Sequence, residues 1–195
     1  MKIREACESL IIVLGAIAIL WVRSLVGPEH TGLLIAAVLI FAFIKTGYYF
    51  FETLRYLVEA TAVDMPYYRF VLLMAYNMAQ ITCSFSLDFY CLQRIDATSL
   101  EGVAPELGSW ELLFECFYFS VLNFSFFGYG SIMPVHIPGK VVMLLEVVTA
   151  FSTVIFLLSD FVSMKESMQR RAAKRQLRAV EPTSQSESRA TAPRT

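Results

Sequence analysis

Apolar residues along this chain come in long unbroken blocks, not at every third or fourth position. A helix that crosses the roughly 30 Å hydrocarbon core needs about 20 mostly apolar residues, and several blocks reach that length. The first runs from Ser9 to Val26, after a charged start with Lys2, Arg4, Glu5 and Glu8. A secretory leader is the rival reading, but the Ala16 and Ala18 pair that would mark cleavage sits inside the apolar stretch. The block therefore reads as an uncleaved helix, with Arg23 snorkelling near its far end and a Gly27–Pro28 turn after it. The second block, Thr31 to Phe51, has Lys45 close to its exit and Tyr48 and Tyr49 suited to the membrane interface. From Glu52 to Arg69 the pattern turns amphipathic, with Leu54, Leu57 and Val58 against Glu52, Arg55 and Glu59. That segment either lies along the membrane surface or continues the helix into the cytoplasm, and Pro66 ends it.

The third block goes from Phe70 to Leu92 and contains Asn77, Gln80 and Thr82, polar groups of the kind that glue membrane helices together. Asp88 falls near its outer end, within reach of water. A loop from Gln93 to Ser109 carries Asp96, Glu101 and Glu106 against one base, Arg94. The next apolar stretch, Trp110 to Phe124, is too short to span and predicts a re-entrant helix. A Pro-rich turn leads to a fourth full block, Val141 to Val162. The predicted fold is an all-α membrane protein with four transmembrane helices, a re-entrant helix and a loop at membrane depth.

Composition agrees. The 195 residues are 56% hydrophobic and only 17% charged, with a mean hydropathy of +0.57, too few charges for the surface of a soluble domain. The net charge of −1 hides an uneven distribution, because eight of the 16 Lys and Arg residues follow Met164. Three regions are expected: residues 1–65 with two N-terminal helices and the amphipathic segment, residues 66–164 as one unit, and a tail over 165–195. The end of that tail lacks large apolar residues and is expected to be disordered. Its basic part, Lys165 to Arg178, reads as a positive-inside anchor, with an anionic-lipid site as the alternative. Four spans put both termini on one side, together with Lys2, Arg4, Lys45, Arg55, Arg69 and the basic tail, so both termini are expected in the cytoplasm of a plasma or inner membrane. Cys7, Cys83, Cys91 and Cys116 show no metal-ligand spacing. They are expected as buried thiols, with a Cys91–Cys116 bridge conceivable.

The chemistry concentrates between Trp110 and Val162. A short helix, an aromatic-flanked Gly-Tyr-Gly, a Pro turn and a long apolar helix follow in order. Irregular backbone at membrane depth is tolerated only where protein or a water-filled path satisfies it. Glycine at 128 and 130 permits positive φ on alternate residues, which turns successive carbonyls toward one axis where they replace an ion's hydration shell. This stretch resembles the pore module of prokaryotic potassium channels. Phe119, Ser120 and Val121 match the family's pore-helix pattern, Gly128, Tyr129 and Gly130 its filter, and Pro134, Gly139 and Lys140 its turn and inner-helix start. Glu146 fits a Leu-Glu pair early in the inner helix.

The resemblance covers about residues 69–163 and implies a homotetramer. It also implies a filter whose backbone at Phe126, Phe127, Gly128, Tyr129 and Gly130 binds a monovalent cation, potassium above all. Ser125, Ser131 and Glu146 are then expected as filter support. The sequence departs from the family at Phe126 and Phe127, where threonine and valine stand, at Ser131 for an aspartate, and at Ala150 for a hinge glycine. A threonine at position 126 would offer a hydroxyl to the innermost ion, and phenylalanine does not.

If Phe151 faces the cavity, as the resemblance implies, Val154, Leu158 and Val162 share its face and form an apolar constriction that gates by dewetting; simple helix packing is the alternative. Glu146 lies about 140° around that helix from Phe151, pointing behind the filter, where a hydrogen bond bracing the pore helix is expected. Asp96, Glu101, Glu106 and Glu111 are candidates for a vestibule that concentrates cations. A cation channel competes with a non-conducting or auxiliary subunit carrying a degenerate filter. An intramembrane enzyme is disfavoured, because the only histidines are His30 and His136, and Asp88 and Asp160 are expected near opposite faces. No organic cofactor, nucleic acid or structural metal is expected.

Overall fold

The computed structural model describes residues 2–25, 30–62, 67–104, 106–128 and 130–159, with side chains over 13–24, 30–55, 68, 71–104, 106–128 and 130–159. Tyr129, Asp160, Val162, the basic tail and the side chain of Cys7 lie outside the described residues.

Among the described residues five helices follow in order: α1 Lys2–Leu25, α2 Thr31–Ala62, α3 Tyr67–Ile95, α4 Ser109–Phe124 and α5 Ile137–Ser159. Two segments among the described residues, Thr31–Arg55 and Ile137–Ser159, are long and apolar enough to cross a membrane. With 32 residues, α2 is about 48 Å long and outruns a single crossing. Of the two readings for the amphipathic stretch after Glu52, the continuous helix is the one observed as far as Ala62.

Helix α3 is the centre of the molecule and packs against α1, α2 and α4. Its Ile81, Phe85, Phe89 and Leu92 are buried with Val38 and Ala42 of α2, Ala16 of α1, and Cys116 and Phe119 of α4. Phe89 and Phe119 meet edge to face at 4.9 Å, an arrangement the ring quadrupoles favour. Phe50 of α2 reaches Phe156 of α5 at 5.8 Å. Gly15 lets α1 approach α2 closely, since a Cβ there would lie 2.6 Å from the Phe41 ring.

Four expectations need correction. Lys45 is not an interfacial charge, because it is buried against α3, and Tyr49 is buried beside it instead of lying at the surface. Asp88 does not reach water and pairs with Lys45. Cys83 is exposed, whereas Cys91 and Cys116 are the buried free thiols expected. The fold also holds a two-stranded antiparallel pair that apolar patterning could not signal: β1 Leu100–Glu101 with β2 Met133–Pro134.

Candidate pore segment

The loop after α4 begins as a helix cap. Ser125 is the C-cap, and its hydroxyl and amide both donate to the carbonyl of Val121. The Phe126 amide donates to Asn123 O at 3.1 Å and the Phe127 amide to Leu122 O at 3.0 Å. These are the two bonds of a Schellman motif, which requires a left-handed residue between them. That residue is Phe126, with φ of +61°. Glycine usually fills the position, because an L side chain there crowds the following carbonyl. Gly128 is left-handed again, with φ of +56°, and Phe127 between them is not.

The rings of this loop face outward from the single chain. Phe127 is 73% exposed, and Phe126 lies edge-on to Phe151 of α5 at 6.3 Å. Beyond its first residue, Ile137, the exposed large apolar residues of α5 are Leu144, Val148, Phe151, Ile155 and Leu158. They recur at i, i+4, i+7, i+11 and i+14, one stripe of a helix. Phe151 and Leu158 lie on it, whereas Val154 is only half-exposed and Ile155 takes its place in the row.

Behind the loop sits a polar node. Glu146 of α5 has no exposed surface and accepts hydrogen bonds from Ser120 Oγ and, at 3.2 Å, from Asn123 Nδ2, both on α4. Ser120 also lies 2.9 Å from the carbonyl of Thr82 on α3. The carboxylate thus ties the last turns of α4 to α5, and Ser120 Oγ brings the same stretch against α3.

The far end of the loop is clamped from outside. Strand β1 pairs Leu100 with Pro134 and Glu101 with Met133, and the Val135 amide donates to Ser99 O at 3.0 Å. Gly102, with φ of +86°, presses so close to Ser131 that a Cβ would lie 1.8 Å from its carbonyl oxygen. Ser131 thus contributes its backbone to this contact. The clamp is anchored by Gln93, which accepts from the Leu100 amide at 2.9 Å and donates to Ala97 O at 2.8 Å. Asp96 accepts from the Thr98 hydroxyl and amide at 2.7 and 3.0 Å. Those bonds, with His136 3.8 Å away, hold its carboxyl below the usual carboxylate range. Arg94 lies on the Tyr90 ring and donates to Ser109 Oγ at 2.6 Å, fixing the start of α4.

The acidic loop residues are not equivalent. Glu111 accepts from the Gly108 amide at 2.9 Å and so caps its own helix, while Asp96 is engaged by Thr98 and only Glu101 and Glu106 stand as exposed loop carboxylates.

Residues 71–166 match the ion-channel family model. The matched segment opens in α3 and takes in α4, the Gly-Tyr-Gly loop and all of described α5. The ion-channel match and the two apolar helices together indicate a membrane transport protein. Helices α1 and α2 precede the matched segment. No curated protein and no solved structure matches the chain.

Sequence reasoning missed two residue sets at this site. Asn123 carries no motif, yet it meets the one buried carboxylate of α5. Gly102 and Gln93 hold the loop exit from a segment that reads as an ordinary acidic loop. Among the described residues no group of three or more His, Cys, Asp or Glu side chains is placed to hold a metal ion.

Proposed function

We propose that the chain is a cation channel, selective for potassium, in which four copies surround one axis. Each copy contributes the backbone carbonyls of Phe126, Phe127, Gly128, Tyr129 and Gly130 to the ion path. The observation that carries this reading is the handedness of the loop: left-handed at Phe126, not at Phe127, left-handed again at Gly128. Alternation of that kind turns neighbouring carbonyls toward one side, the requirement for replacing an ion's hydration shell. The outward-facing apolar stripe on α5 supports assembly around the axis, because it gives one continuous face for the cavity and for neighbouring copies. In this reading α1, α2, α3 and α5 are the four spans, α4 is re-entrant, and both termini are cytoplasmic. Ser125, Ser131 and Glu146 support the filter. Phe151, with Leu158 and Val162 below it and Val154 at the edge of that face, lines the cavity, and an anionic lipid fits the basic residues from Lys165 to Arg178.

Potassium flux into liposomes carrying the purified chain tests the proposal, with Gly128→Ala as control. A Cβ at Gly128 meets no atom within 4 Å in the single chain, so the variant should fold and lose flux through backbone strain at φ of +56°. Flux equal in the variant and the parent would remove the filter assignment.

A second reading has its own observation. Phe126 offers no hydroxyl, and its backbone amide is committed to capping α4. A non-conducting subunit that keeps the scaffold fits that geometry. Well-folded tetramers with no flux for any monovalent cation would favour it.

A further inference from the structure

Lys45 and Asp88 have no part in the ion path, and Lys45 lies before the segment that matches the ion-channel family. Both side chains are only 4% exposed, with Nζ and Oδ2 2.6 Å apart. Lys45 also donates to the carbonyl of Ser84 at 3.0 Å. Its ammonium lies between the rings of Phe41 and Phe85, 5.2 and 5.3 Å from their centroids. A charge at membrane depth is costly unless partnered, and breaking a buried pair leaves its survivor uncompensated.

Beyond this pair the outer stretch of the seam between α2 and α3 is apolar, with Val38, Ala42, Ile81 and Phe85 in one buried cluster, while Thr53 and Asn77 are buried further from it. In a bilayer such a seam discriminates poorly between neighbouring registers, because lipid tails are as apolar as the side chains. A slip of one turn is about 5.4 Å, enough to separate Lys45 from Asp88 completely. A second polar contact obeys the same register: Asn77 Nδ2 donates to Thr53 Oγ1 at 3.3 Å, toward the C-terminal end of α2 and the N-terminal end of α3.

We propose that Lys45 and Asp88 form a register key that docks the α1–α2 hairpin onto α3, making the hairpin a fixed wall of the pore unit. The stretch of α3 so held also serves α4. Thr82, whose carbonyl lies 2.9 Å from Ser120 Oγ, is about 9 Å along the helix from Asp88. A hairpin docked out of register therefore displaces the backbone anchor of the helix that carries the candidate filter. The part of this inference that concerns flux rests on the channel reading; the part that concerns docking does not.

The test uses the full-length chain with Thr53→Cys and Asn77→Cys, whose disulfide-linked peptides are quantified by mass spectrometry after mild oxidation. Into it go Lys45→Met, the apolar pair Lys45→Met with Asp88→Leu, and the swap Lys45→Asp with Asp88→Lys. The apolar pair removes both charges at once, so it stays folded where the single variant fails. The swap should keep at least half of the parental cross-linking. The apolar pair should drop at least fivefold while remaining membrane-inserted and monodisperse, and potassium flux should fall in the same order. Undiminished cross-linking in the apolar pair, or a swap no better than Lys45→Met, overturns the key. If the cross-linking order holds while the parent itself carries no flux, the key stands and the channel reading falls.

Discussion

Glu146 on α5 and Asn123 in the last turn of α4 share a 3.2 Å hydrogen bond, and both side chains are buried. Because Ser120 bonds the other carboxyl oxygen and has the Thr82 carbonyl as a second acceptor, the two donors are not equally dependent on Glu146. Glu146→Ala leaves Ser120 satisfied but strips Asn123 Nδ2 of its acceptor. An unsatisfied buried donor costs about 1–3 kcal/mol, and the lost side chain adds a cavity. The expected loss in a detergent thermal melt is about 3 kcal/mol. Glu146→Gln, which keeps the volume and one acceptor, should lose less than half of that.

The clamp on the loop exit makes a contrast between two glycines. At Gly102 an added Cβ would lie 1.8 Å from backbone, at a φ of +86° that L residues rarely adopt. Gly102→Ala should therefore open the β1–β2 pair, costing more than about 2 kcal/mol. The measurement is hydrogen exchange of the Val135 amide, whose bond to Ser99 O closes the clamp. Gly32→Ala is the control, since nothing lies within 4 Å of a Cβ there. In a helix that change should be neutral or stabilise by up to about 1 kcal/mol. Equal exchange in the two variants would show that the strand pair is not held by Gly102.

Asp96 gives the outer loop an acid limit. Its folded-state pKa is depressed, first by the Thr98 hydroxyl and amide and then by His136. A depressed carboxyl contributes stability that is present above its unfolded value, about 3.9, and lost as pH falls through the lower folded value. Protection of the Thr98 and Leu100 amides should thus hold from neutral pH down to about pH 4 and fall only below it. Asp96→Asn retains an oxygen for Thr98 but carries no charge, so its exchange profile should lose that acid step.

Much of the fold was readable because membrane helices are set by length and apolarity. The expected stretches at Trp110 and Val141 appear as α4 and α5 with ends shifted by a few residues. Lys45 shows why the rest was hidden. A lysine near an apparent helix exit reads as an interfacial charge, and only the packing of α2 on α3 brings Asp88 to it. The strand pair escaped notice for a related reason: two residues on each side carry no periodicity, and their partner lies across α4. At the candidate filter, Gly128 was legible as a left-handed position because glycine advertises it. Phe126 was not, because its φ is dictated by the cap of α4 and runs against the preference of its own side chain.

Phe126 therefore offers the most discriminating substitution. Two opposing effects act on it: a left-handed L residue costs about 1–2 kcal/mol, while its edge-on contact with Phe151 returns about 0.5–1.5 kcal/mol. Phe126→Gly removes both, so the net change in thermal stability should stay within about 1 kcal/mol. Phe126→Thr has no such offset. It loses the ring contact, and a β-branched residue is a poorer fit to φ near +60°. The threonine variant should be the less stable of the two by about 2 kcal/mol in the same melt. If threonine instead proves at least as stable as glycine, the Schellman cap is not the conformation this loop keeps in the assembled protein.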